Sequence, residues 1–317
     1  MNQSKFSLAD LLTVLAAIIF GFVSFLGFNF AFLGADKYKS IMYAALIAIG
    51  MGGLALAAAM LKRTRMISKT KVIMEFVLLF IFVLSAAFAM IPFSHYFTVS
   101  DKKDDIKSVV NDTIIKNGIN MFDKYEKYAN ERRFAYESSM ETAYKNRMSN
   151  SNKYFCYFDD PGKKASETEI DNQKLKNLEK LDENLNVASN NDKINILNNS
   201  KESINSWKPI SVADVVNNLE DNLTKWKNEL VSQSEKRAPG EDVDEEYKVE
   251  NFECNIDFTD AKKMMTEWNP KFSILSFILA LVLYVVMWLS YIITKRDSRW
   301  PGFSIVFGGG RKLDNEL

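Results

Sequence analysis

Four long apolar runs, three near the amino terminus and one near the carboxyl terminus, constrain this chain more than any other feature. They cover residues 8–33, 41–61, 72–99 and 271–295. A hydrocarbon core about 30 Å thick takes about 20 apolar residues as a helix, and each run reaches that length. The expected fold class is mainly α: a four-span helical membrane protein. A large helical extracytoplasmic domain, residues 100–270, is inserted between spans 3 and 4. Residues 1–99 form the three-span region, and residues 296–317 form a short cytoplasmic tail. The first run has a longer apolar core than a cleaved signal peptide, so it is expected to be retained as a span.

Charge is divided unevenly. Lysine plus arginine equal aspartate plus glutamate over the whole chain, 40 against 40. Residues 101–270 carry a net charge of roughly −8, so the remainder is basic. An acidic domain of this kind does not present a basic nucleic-acid surface. Positive charge sets orientation. The connection Lys62-Arg63-Thr64-Arg65-Met66-Ile67-Ser68-Lys69-Thr70-Lys71 has five basic residues and no acid. Lys295, Arg296, Arg299, Arg311 and Lys312 follow the last run. Both segments are expected on the cytoplasmic side of a bacterial inner membrane. That places both termini inside and residues 100–270 in the periplasm or outside the cell. The first run is rich in phenylalanine on all sides, suited to lipid contact and packing alike.

Small residues mark a helix-packing face on the second run. Ala44, Ala48 and Gly52 recur at i+4, and Gly53 with Ala57 repeats the spacing. In lipid such a stripe lets two backbones approach closely. Whether the partner is the same chain or a second subunit stays open. Glu75 is the one acid read as lying well inside a run, one turn past Lys71. Snorkelling or pairing with a nearby lysine is the plain reading, and an ion or proton site the alternative. Pro92 marks a kink, and His95, the single histidine, falls among interfacial aromatics. Tyr284, Trp288 and Tyr291 on the last run read as an anchoring belt.

The polar domain reads as helices. Ile106, Val110, Ile114, Met121, Tyr125, Tyr128, Arg132, Tyr136, Met140 and Tyr144 keep helical spacing, which predicts one long helix with Gly118 as its weak point. A second helix is predicted over 167–185. A third starts at Ser211 and ends near Arg237, and a short one runs to Trp268. The asparagine-rich 184–199 reads as loop, and 247–258 as a short strand or extended cover. The acidic run Glu241-Asp242-Val243-Asp244-Glu245-Glu246 lacks the calcium-loop pattern and reads as solvated. The two cysteines, Cys156 and Cys254, are expected to form a disulfide if the domain is outside.

Catalytic signals are sparse. One histidine builds no histidine-based metal centre, the cysteines lack zinc-ligand spacing, and Gly308-Gly309-Gly310-Arg311-Lys312 lacks a phosphate-loop ending. The expectation is a non-enzyme without cofactor or metal. The leading reading is an integral-membrane subunit of an envelope complex, a scaffold or a secretion-type component. It would bind other membrane or envelope proteins as a homo- or hetero-oligomer within the bilayer, and no nucleic acid. A sensor is the first alternative. The order span, outer helical bundle, span resembles the layout of bacterial chemoreceptor input modules, without any shared motif. A channel or ion-driven motor subunit using Glu75 is the second.

Overall fold

The computed structural model describes residues 7–64, 68–159, 166–243, 249–258, 260–268 and 273–295. Arg65 of the basic connection, the Pro161–Gly162 turn, Asp244 to Glu246 of the acidic run and the whole 296–317 tail lie outside the described residues. Described residues are mainly helical and contain no strand. The chain divides into two units: residues 1–104, 209–214 and 262–317, and residues 105–208 and 215–261.

The first unit is built on α1 (Leu8–Ala31), α2 (Lys37–Arg63) and α3 (Lys69–Asp101). All three are long and apolar enough to cross a membrane, which makes this a membrane protein. The fourth apolar run is α11 (Ile274–Met287) followed by α12 (Leu289–Ile293). Trp288 separates them, yet Trp288 N–H bonds Tyr284 O and Ile292 N–H bonds Trp288 O, so the hydrogen-bond ladder is nearly continuous. α1 is the hub and touches α2, α3, α11 and α12. Its inward face carries Thr13, Ala16, Ala17, Phe20, Gly21, Ser24 and Gly27. Phe20 stacks on Phe93 at 4.5 Å and meets Tyr284 at 5.2 Å. Outward faces keep large apolar groups such as Phe80, Phe88, Ile278 and Val285 exposed, a surface that suits lipid.

Glycines set the closest approaches. A Cβ on Gly27 would lie 1.9 Å from the Pro92 carbonyl oxygen of α3, and one on Gly21 would lie 2.7 Å from Ala48 Cβ of α2. One on Gly52 would lie 2.9 Å from Ala17 Cβ. The stripe Ala44, Ala48 and Gly52 therefore packs on α1 of the same chain. Gly53 is on the other side: open space surrounds its would-be Cβ, and Ala57 is half-buried.

The second unit contains the last part of α4 (Lys103–Ser108), a π-helical turn Val109–Ile115, and α5 (Lys116–Lys145). Ile106, Val110, Ile114 and Gly118 repeat every four residues, which drifts about 40° per step on an α-helix of 3.6 residues per turn. The wider π turn absorbs that drift and keeps all four facing the core, where all are buried. Gly118 is a packing position and not a weak point: a Cβ there would meet Leu223 at 2.7 Å and Leu197 at 3.2 Å. Beyond α5 come α6 (Ser151–Tyr157), α7 (Glu167–Leu185), α8 (Asn190–Ser206) and α9 (Pro209–Glu235). α7 has the predicted bounds, set by a Ser166/Glu169 capping box and a left-handed Asn186. The asparagine-rich stretch is mostly the helix α8, because Leu197 and Ile204 bury one face. α9 starts two residues before Ser211, with Pro209 in its first turn, where the missing N–H has no cost. Residues 249–258 form neither helix nor strand, and Phe252 packs edge-on against Tyr125 at 5.1 Å. Next comes α10 (Asp260–Thr266).

The expected Cys156–Cys254 disulfide is absent. Cys156 turns its thiol onto its own helix and donates to Asn152 O at 3.3 Å, while Cys254 sits in the 249–258 segment outside any helix. Sharing a compartment does not suffice, since a bridge needs both β-carbons within about 4.5 Å and aimed at each other.

Candidate functional site

Within the first unit, polar side chains gather at both ends of the helices. At the end where α1 begins, the local sequence Ser7-Leu8-Ala9-Asp10 forms a capping box. Ser7 N–H donates to Asp10 Oδ2 at 2.8 Å, and Asp10 N–H to Ser7 Oγ at 3.3 Å. The same carboxylate takes both Arg63 guanidinium nitrogens, at 2.9 and 2.6 Å, and the Ser290 hydroxyl at 2.5 Å. Asp10 is 2% exposed. A carboxylate this buried is tolerable only when its lone pairs are filled, and here they are. One residue along from Arg63 and Ser290, a second set forms. Lys62 Nζ donates to Tyr291 O at 2.5 Å and lies 4.5 Å over its ring, and Tyr291 Oη donates to Glu75 Oε1 at 2.5 Å. Arg63 of α2 and Ser290 of α12 thus reach Asp10 of α1, while Tyr291 of α12, held by Lys62 of α2, reaches Glu75 of α3. Thr13 Oγ1 donates to Met287 O at 2.9 Å, capping the end of α11.

The opposite ends are tied in the same way. Asn29 Nδ2 donates to Ile210 O at 3.2 Å, and Lys37 pairs with Asp214. Gly34, at φ +67°, leaves room for the Asp214 carboxylate where a Cβ would stand. Ser94 and Ser276 share a hydrogen bond at 3.2 Å. His95 Nε2 lies 3.0 Å from Met265 O, and its ring is 4.3 Å from that of Trp268. So the first turn of α9, the 262–268 segment and the start of α11 are each fixed on this unit by a polar contact.

Sequence-predicted positions fare differently. Glu75 is buried at 3% exposure and its bond goes to Tyr291. Tyr284, Trp288 and Tyr291 do not form an outward belt. Tyr284 Oη donates to Ala86 O, and Trp288 meets Phe82 edge-on at 4.8 Å. The two tyrosines point onto α3 because their hydroxyls have acceptors there, and Trp288 does so through its ring contact with Phe82. Asp10 went unread. Its signal was the Ser-x-x-Asp spacing at the head of the first run, with Arg63 closing the second.

The second unit has its own buried charge pair. Arg132 Nε and Nη2 donate to Glu241 at 2.9 and 2.6 Å. Nη1 donates to Ser234 O at 2.8 Å and Tyr128 Oη at 3.2 Å, and Nη2 also to Lys236 O at 2.6 Å. All five N–H donors are used. Burial opposes the guanidinium charge, but the Glu241 carboxylate outweighs it and holds the pKa above the usual arginine range. Glu241 is therefore not part of a solvated loop, and it also caps Ala238 N–H at 2.6 Å. Burial pushes the neighbouring Tyr125 hydroxyl well up, and it donates to Leu185 O.

No protein-family model matches the chain, and neither a curated protein nor a solved structure is similar to it.

Proposed function

We propose that this chain is a non-enzymatic scaffold subunit of an envelope protein complex, anchored by four spans. In this reading α11 and α12 together make the fourth crossing, both termini are cytoplasmic, and residues 100–270 are outside the inner membrane. The five basic residues of 62–71 support that orientation, with Lys295 after the last helix agreeing. One observation carries the functional reading. Within the first unit, polar contacts hold α1 and α2 to residues 209–214, and α3 to the 262–268 segment and to the start of α11. A frame tied in this way suits a mount for partners. It opposes the sliding of α3 against α11 that a piston-type sensor would need. Asp10 and Glu75 are engaged by Arg63, Ser290 and Tyr291, which supports cross-linking in place of an ion path.

The test is in-cell cross-linking followed by purification of the intact chain. The expected result is recovery with stoichiometric partners or copies. Recovery of a lone monomer would sink the scaffold reading. Topology is checked separately by membrane-impermeant maleimide labelling. Cys156 and Cys254 are half-exposed, so they should label from outside the cell membrane without prior reduction.

A further inference from the structure

We propose that His95 is a proton-operated latch: neutral, it holds the 262–268 segment on α3, and protonated, it lets that segment go. The chain has one histidine. Its Nε2 faces the Met265 carbonyl at 3.0 Å. A carbonyl only accepts, so Nε2 carries the proton and Nδ1 is the bare nitrogen. Nδ1 is buried with no hydrogen-bond partner among the described residues, and the whole residue is 3% exposed. A proton added there places a second N–H and a full charge where no described residue accepts them.

The surrounding charges do not relieve this. On its own helix, Asp101 is exposed, and the cap residue Lys102 adds positive charge. On the 260–268 side, Lys262 and Lys263 are also positive, while Glu267 is exposed and makes no bond to the ring. From α11 the polar group at this level is Ser276, which is bonded to Ser94; on α1 Asn29 spends its amide Nδ2 on Ile210 O and keeps a bare Oδ1, which makes no bond to the His95 ring. The Trp268 face, 4.3 Å away, gives an imidazolium a cation–π contact, but it supplies no acceptor for Nδ1–H. Residues 262–268 precede α11 in the chain, so release frees the segment that leads to the last apolar helix.

The experiment follows two exchange reactions on the intact chain in detergent, from about pH 8 down to about pH 3.5. Backbone hydrogen exchange of peptides covering 260–268, corrected for intrinsic rate, reports release. Exchange of the imidazole C2–H reports titration of His95 without ambiguity, because no other histidine is present. Protection of 260–268 should fall at least about tenfold with the same midpoint as His95. His95→Gln, whose amide still donates to Met265 O but does not titrate, should keep protection throughout. Unchanged protection while His95 titrates overturns the latch. So do midpoints more than about one pH unit apart, or an equal loss in His95→Gln. Should that variant fail to fold, the comparison of midpoints in the unmodified chain decides alone.

Discussion

Removing the Glu241 carboxylate should unfold the second unit far more readily than any neighbouring change. Glu241→Ala strips Arg132 of its counter-charge in a site where the two side chains are 3% and 0% exposed. Two guanidinium N–H groups and the Ala238 N–H lose their acceptor together. Breaking one side of a buried pair costs about 3–5 kcal/mol, mostly because the remaining charge stays in low dielectric. For a domain of this size that corresponds to a fall in Tm of roughly 6–20 °C, at about 2–4 °C per kcal/mol. Asp242→Ala is the control. Its partner Arg237 is 3.6 Å away and Asp242 is 72% exposed, so the change should stay within about 0.5 kcal/mol. The double variant Arg132→Met, Glu241→Leu removes both charges and should recover most of the loss. The assay is thermal and urea unfolding of the full chain in one detergent, with hydrogen exchange reading the second unit. A cost for Glu241→Ala below about 1 kcal/mol, or a double variant as unstable as the sum of the singles, would refute the reasoning.

Three further outcomes are expected. Gly27→Ala drives a methyl into the Pro92 carbonyl, so α1 and α3 must part; at least about 1–3 kcal/mol is lost, whereas Gly53→Ala, in open space, is neutral or gains up to about 1 kcal/mol. Equal thermal midpoints for the two variants would contradict the packing. Asp10→Asn weakens the bonds from Arg63 and Ser290 and should cost about 1.5–3 kcal/mol, seen as a lower melting temperature and faster proteolysis after α1. Wild-type behaviour of that variant rules out the clamp as a source of stability. Lys145, by hydrogen bond, and Lys174, by charge, hold the exposed Glu141 below its usual carboxylate pKa. Its contribution is therefore complete above the unfolded pKa and lost as pH falls through the folded one. Glu141→Gln should flatten the acid limb of urea midpoint against pH, and an unaltered limb argues against that linkage.

Local pattern made some of this architecture legible. Apolar length showed the membrane helices, helical spacing of apolar residues showed α7, and i+4 small residues showed that α2 has a packing face. What escaped depends on partners far away in the chain. Asparagine content argues against a helix at 190–206, but burial of Leu197 and Ile204 overrides propensity. The acid-rich surroundings of Glu241 argue for solvent, yet its cation stands 109 residues upstream. Tyr284 and Tyr291 have the composition of an interfacial belt, but acceptors on α3 turn them inward.

These misses share a readable trace. Arg132 occupies the register of Met121, Tyr125, Tyr136 and Met140, and Asp10 that of Thr13, Ala17 and Phe20. A charge in a buried register must either neutralise or find an opposite charge, because an unpaired ion in low dielectric is too costly to keep. Each such residue therefore implies a buried counter-charge in another element, even where spacing does not say which one. Arg132 required an acid from somewhere in its unit, and Asp10 required a cation at its own level of the bundle, where α2 ends in Lys62 and Arg63. Read this way, charge in register is a long-range constraint. It points to the contacts that join the elements within each unit.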